Sequence, residues 1–328
     1  MSEIPAGAMR FNSDSHKLEY WNGSAWFQIH TATPDLASAG DPTPGPRGLF
    51  FGGSDPNKDT IDYINIASVG NAIDFGNLSE ALDYPGAFAS STRGFSAGGR
   101  NPSDVNVIQF VAIPSTGNAI DFGDMSSTKR ELSSCASATR GLIGGATLAT
   151  SNTIEYVTMS SAGDSKDFGD LTTALDGAAS FSSPTRGVWA GGEGPSPYPG
   201  LTTIQFVQIA TLGNAQNYGD LSAGSWACNG CSNSVRGLIG AIASPARNQI
   251  DYITITTGGN SVNFGDLTYS ETAPASTASP TRGVFAGGGS VNTINYVIIN
   301  TQGNAVDFGD LTVGRGRFNA ASNAHGGL

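Results

Sequence analysis

Residues 282–310 read RGVFAGGGSVNTINYVIINTQGNAVDFGD, and the same order of features occurs six times along the 328-residue chain. Each copy has an Arg-Gly step, a short apolar run that usually ends in Gly-Gly, a longer apolar run, and an aromatic-Gly-Asp or aromatic-Gly-Asn step. The Arg-Gly steps begin at Arg47, Arg93, Arg140, Arg186, Arg236 and Arg282, which are 46, 47, 46, 50 and 46 residues apart. Self-similarity at a period of about 40 to 50 residues is typical of repeat architectures such as β-propellers.

The apolar pattern within each copy predicts β-strands. The longer runs are TIDYINI, VIQFVAI, TIEYVTM, TIQFVQI, QIDYITI and TINYVII, and they carry apolar residues on both alternating faces. A strand covered on both faces suits a sheet that is stacked between two others. Four strands per copy at this period predict an all-β fold, a six-bladed kelch-like β-propeller. Helical repeats would need a 3.6-residue periodicity, which the chain lacks.

The two ends of the repeat region complement each other. The first Arg-Gly step follows GDPTPGP, whose prolines cannot donate to a strand ladder, so the first copy lacks its inner strand. Residues 315–325 resemble the small-residue stretch that precedes the other Arg-Gly steps. We therefore predict that residues 315–325 provide the inner strand of the first blade and close the ring, which leaves no open sheet edge.

The segment before the repeats predicts a separate small unit. Residues 8–29 read AMRFNSDSHKLEYWNGSAWFQI, in which Asn-Gly between apolar-alternating runs is a strong hairpin signal. We predict an N-terminal β-meander at 1–30, a Pro/Ala/Gly-rich, semi-rigid linker at 31–46 and the propeller at 47–328. So small a meander rarely folds alone, so it either docks on a partner or folds back onto the propeller. The candidate docking residues are Tyr20, Trp21, Trp26 and Phe27.

Composition excludes several classes of function. The net charge of −11, without clustered Lys or Arg, argues against nucleic-acid binding. The sequence has neither an apolar run near eighteen residues nor a secretory signal pattern, so we expect no membrane insertion. The three cysteines, Cys135, Cys228 and Cys231, do not form a disulfide framework, and the lone CxxC lacks a second pair of metal ligands. We interpret them as small packing residues.

The residue inventory predicts a protein that is not an enzyme. His16, His30 and His325 lie near the ends of the chain, so they cannot form a metal site within the ring. There is no sialidase-type Asp box, although two carboxylates can still meet in the central channel. We therefore predict no catalytic residue, no cofactor and no metal.

The repeated charged residues can be interpreted as a structural set or as a ring of ligand-binding charges. Recurrence in every copy favours a structural role, in which each Arg satisfies carbonyls or pairs with a carboxylate. The repeated acids are Asp124, Asp170, Asp220, Asp266 and Asp310, with Asn77 in the first copy. A binding site should break the symmetry instead, and the loops after Gly-Gly vary most. Tyr198, in the longest of them, is a candidate contact residue or a plain surface tyrosine.

The repeats TRGVFAGG, TINYV and GNAVDFGDLT resemble the kelch-like propellers of virion structural proteins from tailed phages, particularly phages of cyanobacteria. The opening segment resembles the N-terminal modules of fibre and tail proteins in such phages. The resemblance implies a fibre, neck or tail appendage of the virion, assembled in the host cytoplasm. Its N-terminal segment would dock on other virion proteins, and its propeller would contact a host-surface glycan or protein.

Two other roles remain open at this stage. One is a purely architectural capsid or tail decoration protein without receptor binding, and the other is a glycan-acting hydrolase. Because a small meander needs partners, we also expect a homo-oligomer.

Overall fold

The computed structural model describes residues 5, 7–12, 17–28, 45–54, 56–147, 151–242, 248–270 and 272–328. The chain divides into two compact units, Met1–Pro44 and Gly45–Leu328. The predicted linker at 31–46 lies outside the described residues, except for Gly45 and Pro46, which belong to the second unit. Within the described ranges, no helix is long and apolar enough to cross a membrane.

The first unit contains a three-stranded antiparallel sheet, as the hairpin pattern predicts. Its strands are β1 (Met9–Asn12), β2 (Lys17–Trp21) and β3 (Trp26–Gln28). The side chain of Asn22 closes the second hairpin, because its Oδ1 accepts hydrogen bonds from the backbone N–H groups of Ser24 and Ala25 at 2.8 Å. The Asn-Gly signal therefore marks a real turn. We call this element the N-terminal sheet.

The second unit contains six four-stranded antiparallel sheets within the described residues, numbered I to VI here. In every sheet the strands follow one order, a-b-c-d, and strand b begins at the Arg-Gly step. Sheet I consists of β27 (Asn319–Ser322), β4 (Arg47–Phe51), β5 (Lys58–Asn65) and β6 (Ile73–Leu82). Sheet II consists of β7 (Gly86–Ala89), β8 (Arg93–Ala97), β9 (Val107–Ala112) and β10 (Ile120–Asp124). Sheet III consists of β11 (Ser133–Ala136), β12 (Arg140–Gly144), β13 (Thr153–Thr158) and β14 (Lys166–Asp170).

The remaining three sheets repeat this order. Sheet IV consists of β15 (Ala179–Ser182), β16 (Arg186–Ala190), β17 (Leu201–Gln208) and β18 (Gln216–Ser225). Sheet V consists of β19 (Asn229–Ser232), β20 (Arg236–Ile242), β21 (Gln249–Thr254) and β22 (Val262–Asp266). Sheet VI consists of β23 (Ala275–Ala278), β24 (Arg282–Ala286), β25 (Thr293–Ile298) and β26 (Val306–Asp310). The unit is an all-β, propeller-like assembly of small sheets.

The hydrophobic core lies between neighbouring sheets. Six clusters of buried side chains each join two successive sheets, and one of them joins sheet VI to sheet I. For example, Phe75 of sheet I shares a cluster with Val111 of sheet II, and Phe308 of sheet VI shares one with Phe50 of sheet I. Each sheet is therefore covered on both faces, which explains why the c strands have no plainly polar face.

The a strands surround a narrow central space. They contact one another in the order β7, β11, β15, β19, β23, β27 and back to β7. The space between them is a cavity of about 50 Å³ that is lined by residues from all six a strands. Small residues suit these strands because their backbones approach one another closely.

The predicted pairing of the C-terminal stretch with the first copy is confirmed. β27 pairs antiparallel with β4, although the strand covers residues 319–322 rather than the whole of 315–325. Asn323 takes the place of a covalent turn, because its Oδ1 accepts a hydrogen bond from the Arg47 N–H at 2.8 Å. In the other five sheets a Ser or Asn side chain makes the same bond within the turn between strands a and b.

The aromatic-Gly-Asp step recurs because neighbouring sheets interlock at that point. In sheet VI the backbone N–H of Asp310 donates to Oδ1 of Asn71 in sheet I at 3.0 Å, and each successive pair of sheets has an equivalent bond. A Cβ atom at Gly309, which has φ of 146°, would collide with the carbonyl oxygen of Gly70. Glycine is therefore required by both the backbone conformation and the close approach.

Every c strand also carries one buried polar side chain, which the sequence analysis did not single out. Its oxygen accepts a hydrogen bond, at 2.7–3.3 Å, from the backbone N–H of a Ser or Thr in the preceding sheet. The acceptor and donor pairs are Asp62–Thr312, Gln109–Ser79, Glu155–Ser126, Gln205–Thr172, Asp251–Ser222 and Asn295–Thr268. These bonds satisfy groups that would otherwise be costly to bury.

Candidate functional site at the open end of the central space

The repeated arginines connect neighbouring sheets. In each case Nη1 donates to a carbonyl oxygen just after the c strand of the next sheet, at 2.7–3.0 Å. The guanidinium group also lies 4.4–5.0 Å from the centroid of an aromatic ring in its own c strand. The pairs are Arg47–Ile113, Arg93–Met159, Arg140–Ile209, Arg186–Ile255, Arg236–Ile299 and Arg282–Ile66. These carbonyl contacts favour the structural interpretation of the arginines.

The repeated acids lie on the outer d strands, where they are partly or fully exposed. Asp124, Asp170, Asp220, Asp266 and Asp310 use their backbone N–H groups for the sheet-to-sheet bonds described above. One of them also has a side-chain partner, because the Thr202 hydroxyl lies 3.0 Å from Oδ1 of Asp220. Across the described part of the chain, no group of three or more His, Cys, Asp and Glu residues is arranged to hold a metal ion.

The predicted docking aromatics are divided between the two faces of the N-terminal sheet. Tyr20 and Phe27 stack with 5.7 Å between ring centroids and lie on a face that also carries Met9 and Phe11. These four side chains are 40–64 % exposed. Exposed apolar surface of this kind is typical of surfaces that contact other molecules.

Trp21 and Trp26 lie on the opposite face, with 5.5 Å between their ring centroids. The Arg10 guanidinium group lies 4.2 Å from the Trp26 ring and forms a 2.9 Å ion pair with Glu19. Part of this tryptophan surface is therefore already covered within the sheet.

Tyr198 lies in the longest loop after Gly-Gly, as predicted, and its side chain is 43 % exposed. Its backbone has φ of 63°, and its N–H donates to the Pro195 carbonyl at 3.1 Å, so the loop is locally ordered. The first residue of the same loop, Glu193, lines a cavity at the centre of the unit, whereas Tyr198 is not among the residues that line this cavity.

One end of the central space, which we call the tail end, is covered by residues 323–328. His325 Nε2 lies 2.8 Å from the Ala89 carbonyl oxygen, and its Nδ1 accepts a hydrogen bond from the Gly327 N–H at 3.1 Å. A carbonyl can only accept, so Nε2 carries the proton and the neutral imidazole satisfies both contacts. Burial lowers the pKa of His325 to about 4. A Cβ at Gly327 would collide with the carbonyl oxygen of Ala136, which shows how closely the tail packs.

The other end, which we call the open end, is surrounded by six equivalent residues, each two positions before an a strand. These are Tyr84, Glu131, Gly177, Ala227, Ala273 and Arg317, and all have φ between 51° and 59°. Backbone hydrogen bonds join some neighbours, for example from the Tyr84 N–H to the Arg317 carbonyl at 2.7 Å. A left-handed conformation costs a residue other than glycine about 1 kcal/mol or more. The backbone thus follows the sixfold pattern, but the side chains do not.

A cavity of about 250 Å³ lies at the open end. Its lining includes three acidic residues, three aromatic residues and one arginine. These are Glu131, Asp176, Glu193, Tyr84, Trp226, Phe318 and Arg317. Trp226 is 42 % exposed, whereas the Tyr84 ring has the Arg317 guanidinium group 5.2 Å from its centroid. We call Glu131, Asp176 and Glu193 the carboxyl cluster.

The carboxyl cluster holds a proton near neutral pH. Burial and the adjacent carboxyl group of Asp176, to which Glu131 is hydrogen-bonded, raise the pKa of Glu131 to about 7, and Glu193 acts in the same direction. Arg130, whose Nε is 3.9 Å from the Glu131 carboxyl group, acts against this shift. A hydrogen bond between two carboxyl groups requires that one of them be protonated.

The equivalent place in sheet II holds an ion pair instead. There Arg100 follows Gly-Gly, and its Nη2 lies 2.6 Å from Oδ2 of Asp83, whose side chain is 1 % exposed. In sheet IV, Glu193 stands in the place of Arg100 and Asp176 in the place of Asp83, and the same backbone bridge joins them. Sheet IV therefore has two carboxyl groups, which repel each other when both are charged, where sheet II has oppositely charged groups that attract.

Sequence reasoning missed the carboxyl cluster and Trp226. A signal was present, because Glu193 is the only acid that directly follows a Gly-Gly step, and Trp226 is the only aromatic residue that directly precedes the six equivalent residues. The possibility that two carboxyl groups meet at the centre was stated, but without naming them.

The three cysteines are buried and free. Burial raises the pKa of Cys135 and of Cys231 to about 12 and also raises the pKa of Cys228. Thiols of this kind are poor nucleophiles and poor metal ligands.

Comparison with known proteins does not assign the chain to a family. No protein-family model matches the chain, and no curated protein matches it.

Proposed function

We propose that residues 45–328 form a six-bladed, kelch-like β-propeller that is closed by β27 and acts as a binding module. Three repeated interactions support this: shared hydrophobic clusters, arginine-to-carbonyl bonds and the bonds at the Gly-Asp step. Each of them runs from sheet I to sheet VI and from sheet VI back to sheet I. Such a scaffold leaves its loops and its central opening free to carry function.

The observation that carries the binding role is the carboxyl cluster at the open end. At the place where sheet II has the Arg100–Asp83 ion pair, three acidic side chains line one cavity, and two of them, Glu131 and Asp176, are hydrogen-bonded to each other. Natural proteins break local rules of this kind mainly at functional sites, where perturbed pKa values also concentrate. The symmetry is broken at this place, as a binding site requires.

The proposed location of the protein in a virion rests on the resemblance of its sequence to virion proteins of tailed phages. We propose a non-enzymatic fibre, neck or tail appendage that presents the propeller to the host surface. Its N-terminal sheet would dock on other virion proteins or on further copies of the chain. The exposed face formed by Met9, Phe11, Tyr20 and Phe27 supports this, because a three-stranded sheet of this size gains stability from a partner.

Hydrolysis of a glycan by the carboxyl cluster is less well supported. Hydrogen-bonded carboxyl oxygens lie about 3 Å apart. Retaining glycosidases separate their carboxyl groups by about 5 to 5.5 Å, and inverting ones by more. The contact between Glu131 and Asp176 therefore favours binding over this chemistry.

A second candidate function, architectural packing, is favoured by the outer edge of the unit. The first residues of the d strands in sheets V, VI, I and II are Val262, Val306, Ile73 and Ile120, and these are 51–63 % exposed. In sheets III and IV the same position holds Lys166 and Gln216. An apolar arc over four consecutive sheets suits contact with another protein.

Binding to cell envelopes separates the two candidates. The full-length protein would be incubated with cyanobacterial envelope preparations, together with a Glu193→Arg variant and a Leu212→Ala control. Glu193→Arg recreates the ion pair of sheet II, so it should fold normally yet fill the open end, and we expect it to lose envelope binding. Leu212 is 58 % exposed and is not among the residues that line the cavity, so its replacement should leave binding unchanged. Absence of binding by the unaltered protein would favour the architectural role.

A further inference from the structure

The pairing of β27 with β4 needs a determinant of register that the other sheets do not need. In sheets II to VI a three-residue turn joins strands a and b, so the chain itself aligns the two strands. In sheet I the two strands come from opposite ends of the second unit, and no turn joins them. Side chains must therefore set the alignment of Asn319 with Phe51 and of Ser322 with Gly48.

The side chains of β27 specify this alignment only weakly. The strand reads Asn-Ala-Ala-Ser, so all four residues are small. A shift by one residue would turn every side chain to the other face of the sheet, but a shift by two residues would keep the faces. Such a shift would place Ala321 where Asn319 now lies, with little change in packing. A determinant outside the four residues is needed to exclude it.

Arg315, which lies four residues before the start of β27, provides such a determinant. Its Nη2 atom lies 2.9 Å from Oδ2 of Asp62, and both side chains are fully buried. Its Nη1 atom donates to the carbonyl oxygen of Thr60 at 3.0 Å. Asp62 and Thr60 belong to β5, so Arg315 connects the segment that leads into β27 to the c strand of the same sheet. A two-residue shift would move this segment by about 7 Å and leave both charges buried without each other.

The packing of this place does not require an ion pair. In sheets II and IV the two equivalent positions hold a fully buried leucine and a buried glutamine. These pairs are Leu82–Gln109 and Leu175–Gln205. Burial raises the pKa of Asp62 and lowers the pKa of Arg315, so each charge is costly to bury. A charged pair where an uncharged pair also packs is better explained by specificity than by stability.

Sheet III separates the effect of an ion pair from the effect of register. There Lys129 stands in the place of Arg315, and its Nζ atom lies 2.6 Å from Oε1 of Glu155. However, a covalent turn joins β11 to β12, so the register of these strands does not depend on Lys129. The Lys129 side chain is also 11 % exposed, whereas that of Arg315 is not exposed at all.

We propose that the Arg315–Asp62 ion pair fixes the register of β27 on β4, so that sheet I is completed in a single arrangement. The pair acts at the start of β27, and the bond from the Arg47 N–H to Asn323 completes the junction at its end. This inference concerns how the fold is completed, and it does not depend on the proposed binding function.

The test gives sheet I the uncharged pair of sheets II and IV. The full-length variant carries Arg315→Leu with Asp62→Gln, and its unfolding equilibrium constant should rise by no more than about tenfold. Assigned ¹H–¹⁵N NMR spectra should show one set of signals for residues 48–51 and 319–322 in the unaltered protein. We expect at least two sets in the double variant, one for each register.

The matched control is the same exchange in sheet III, Lys129→Leu with Glu155→Gln. It also removes a buried ion pair, but residues 133–136 and 140–144 should keep one set of signals, because the turn still aligns their strands. If the sheet I variant does not fold, Arg315→Met with Asp62→Asn takes its place, because these side chains are closer in size to the original ones.

Three results would overturn the inference. One set of signals in the folded sheet I variant would show that the ion pair is not needed to choose the register. Several sets in the sheet III control would show that loss of any such pair loosens the strands. Failure of both sheet I variants to fold would show that the pair is required for folding itself rather than for register.

Discussion

The tail end and the open end of the central space differ in the ionisable side chains that lie there. At the tail end, His325 is neutral and both of its ring nitrogens are hydrogen-bonded. At the open end, the backbone of six equivalent residues has the same left-handed conformation, and burial together with Asp176 and Glu193 raises the pKa of Glu131 to about 7. The difference is that burial favours the neutral form of a base at the tail end and the neutral form of an acid at the open end.

The two ends also give opposite pH dependence. The pKa of His325 is lowered on folding, so its contribution to stability is present above about pH 6.5 and is lost as pH falls through 4. The pKa of Glu131 is raised on folding, so its contribution is present below about pH 4.5 and is lost as pH rises through 7. The two effects oppose each other between about pH 4.5 and 6.5, so single variants are needed to reveal them.

Removal of the tail end should have the largest effect. Deletion of residues 319–328 removes β27, the Asn323 junction and His325, and leaves the backbone edge of β4 unpaired. We expect either loss of cooperative unfolding or a fall in Tm of about 10 °C or more. Calorimetry of the full-length and truncated proteins measures this, and an unchanged Tm would show that β27 does not hold the fold together.

Arg100→Glu should convert the ion pair of sheet II into a second site like the carboxyl cluster. It leaves the buried Asp83 beside a like charge, so we expect a loss of about 3 kcal/mol in the free energy of unfolding. The control is Asp83→Asn with Arg100→Gln, which keeps hydrogen-bonding groups without charges and should lose less. Chemical denaturation at pH 8 measures both, and equal stability of all three proteins would contradict the comparison between sheets II and IV.

Glu131→Gln should remove the repulsion at the open end. The unaltered protein is expected to lose on the order of 3 kcal/mol of stability between pH 4.5 and 8 through this group, with Asp176 sharing the proton. The variant should match the unaltered protein at pH 4.5 and exceed it at pH 8. Denaturant unfolding across this range tests the sign, and a variant that is less stable at pH 8 would show that the Glu131 charge is compensated.

His325→Gln should give the opposite effect, since folding lowers the pKa of His325 to about 4, whereas it raises the pKa of Glu131 to about 7. The Gln amide can still donate to the Ala89 carbonyl but does not titrate. We expect the unaltered protein to lose stability between pH 6.5 and 4 relative to the variant. If the Tm of both proteins changes with pH in the same way over this range, the pKa of the imidazole is the same in the folded and unfolded states.

The parts of the fold that recur in every copy were predictable. The Arg-Gly and Gly-Asp steps mark contacts that each sheet needs, and the complementary ends of the repeat region predicted the pairing of β27 with β4. The partner of each arginine was left open, because a carbonyl of the next sheet has no sequence signature. The carboxyl cluster was missed because Glu131, Asp176 and Glu193 come from three segments that only the curvature of the assembly brings together. The docking role of the aromatic residues in the N-terminal sheet stays a prediction, and their division between two faces follows from strand register.

The ionisation of Glu131 tests the central claim most directly. The full-length protein, labelled with ¹³C at the glutamate carboxyl carbons, would be titrated by NMR, and Glu131→Gln would identify its signal. The burial of Glu131 beside Asp176 and Glu193 at the open end predicts a midpoint near 7 for this carboxyl group. A midpoint near its ordinary value of 4.5 would show that the acids do not meet, and would remove the basis for a binding site at this end.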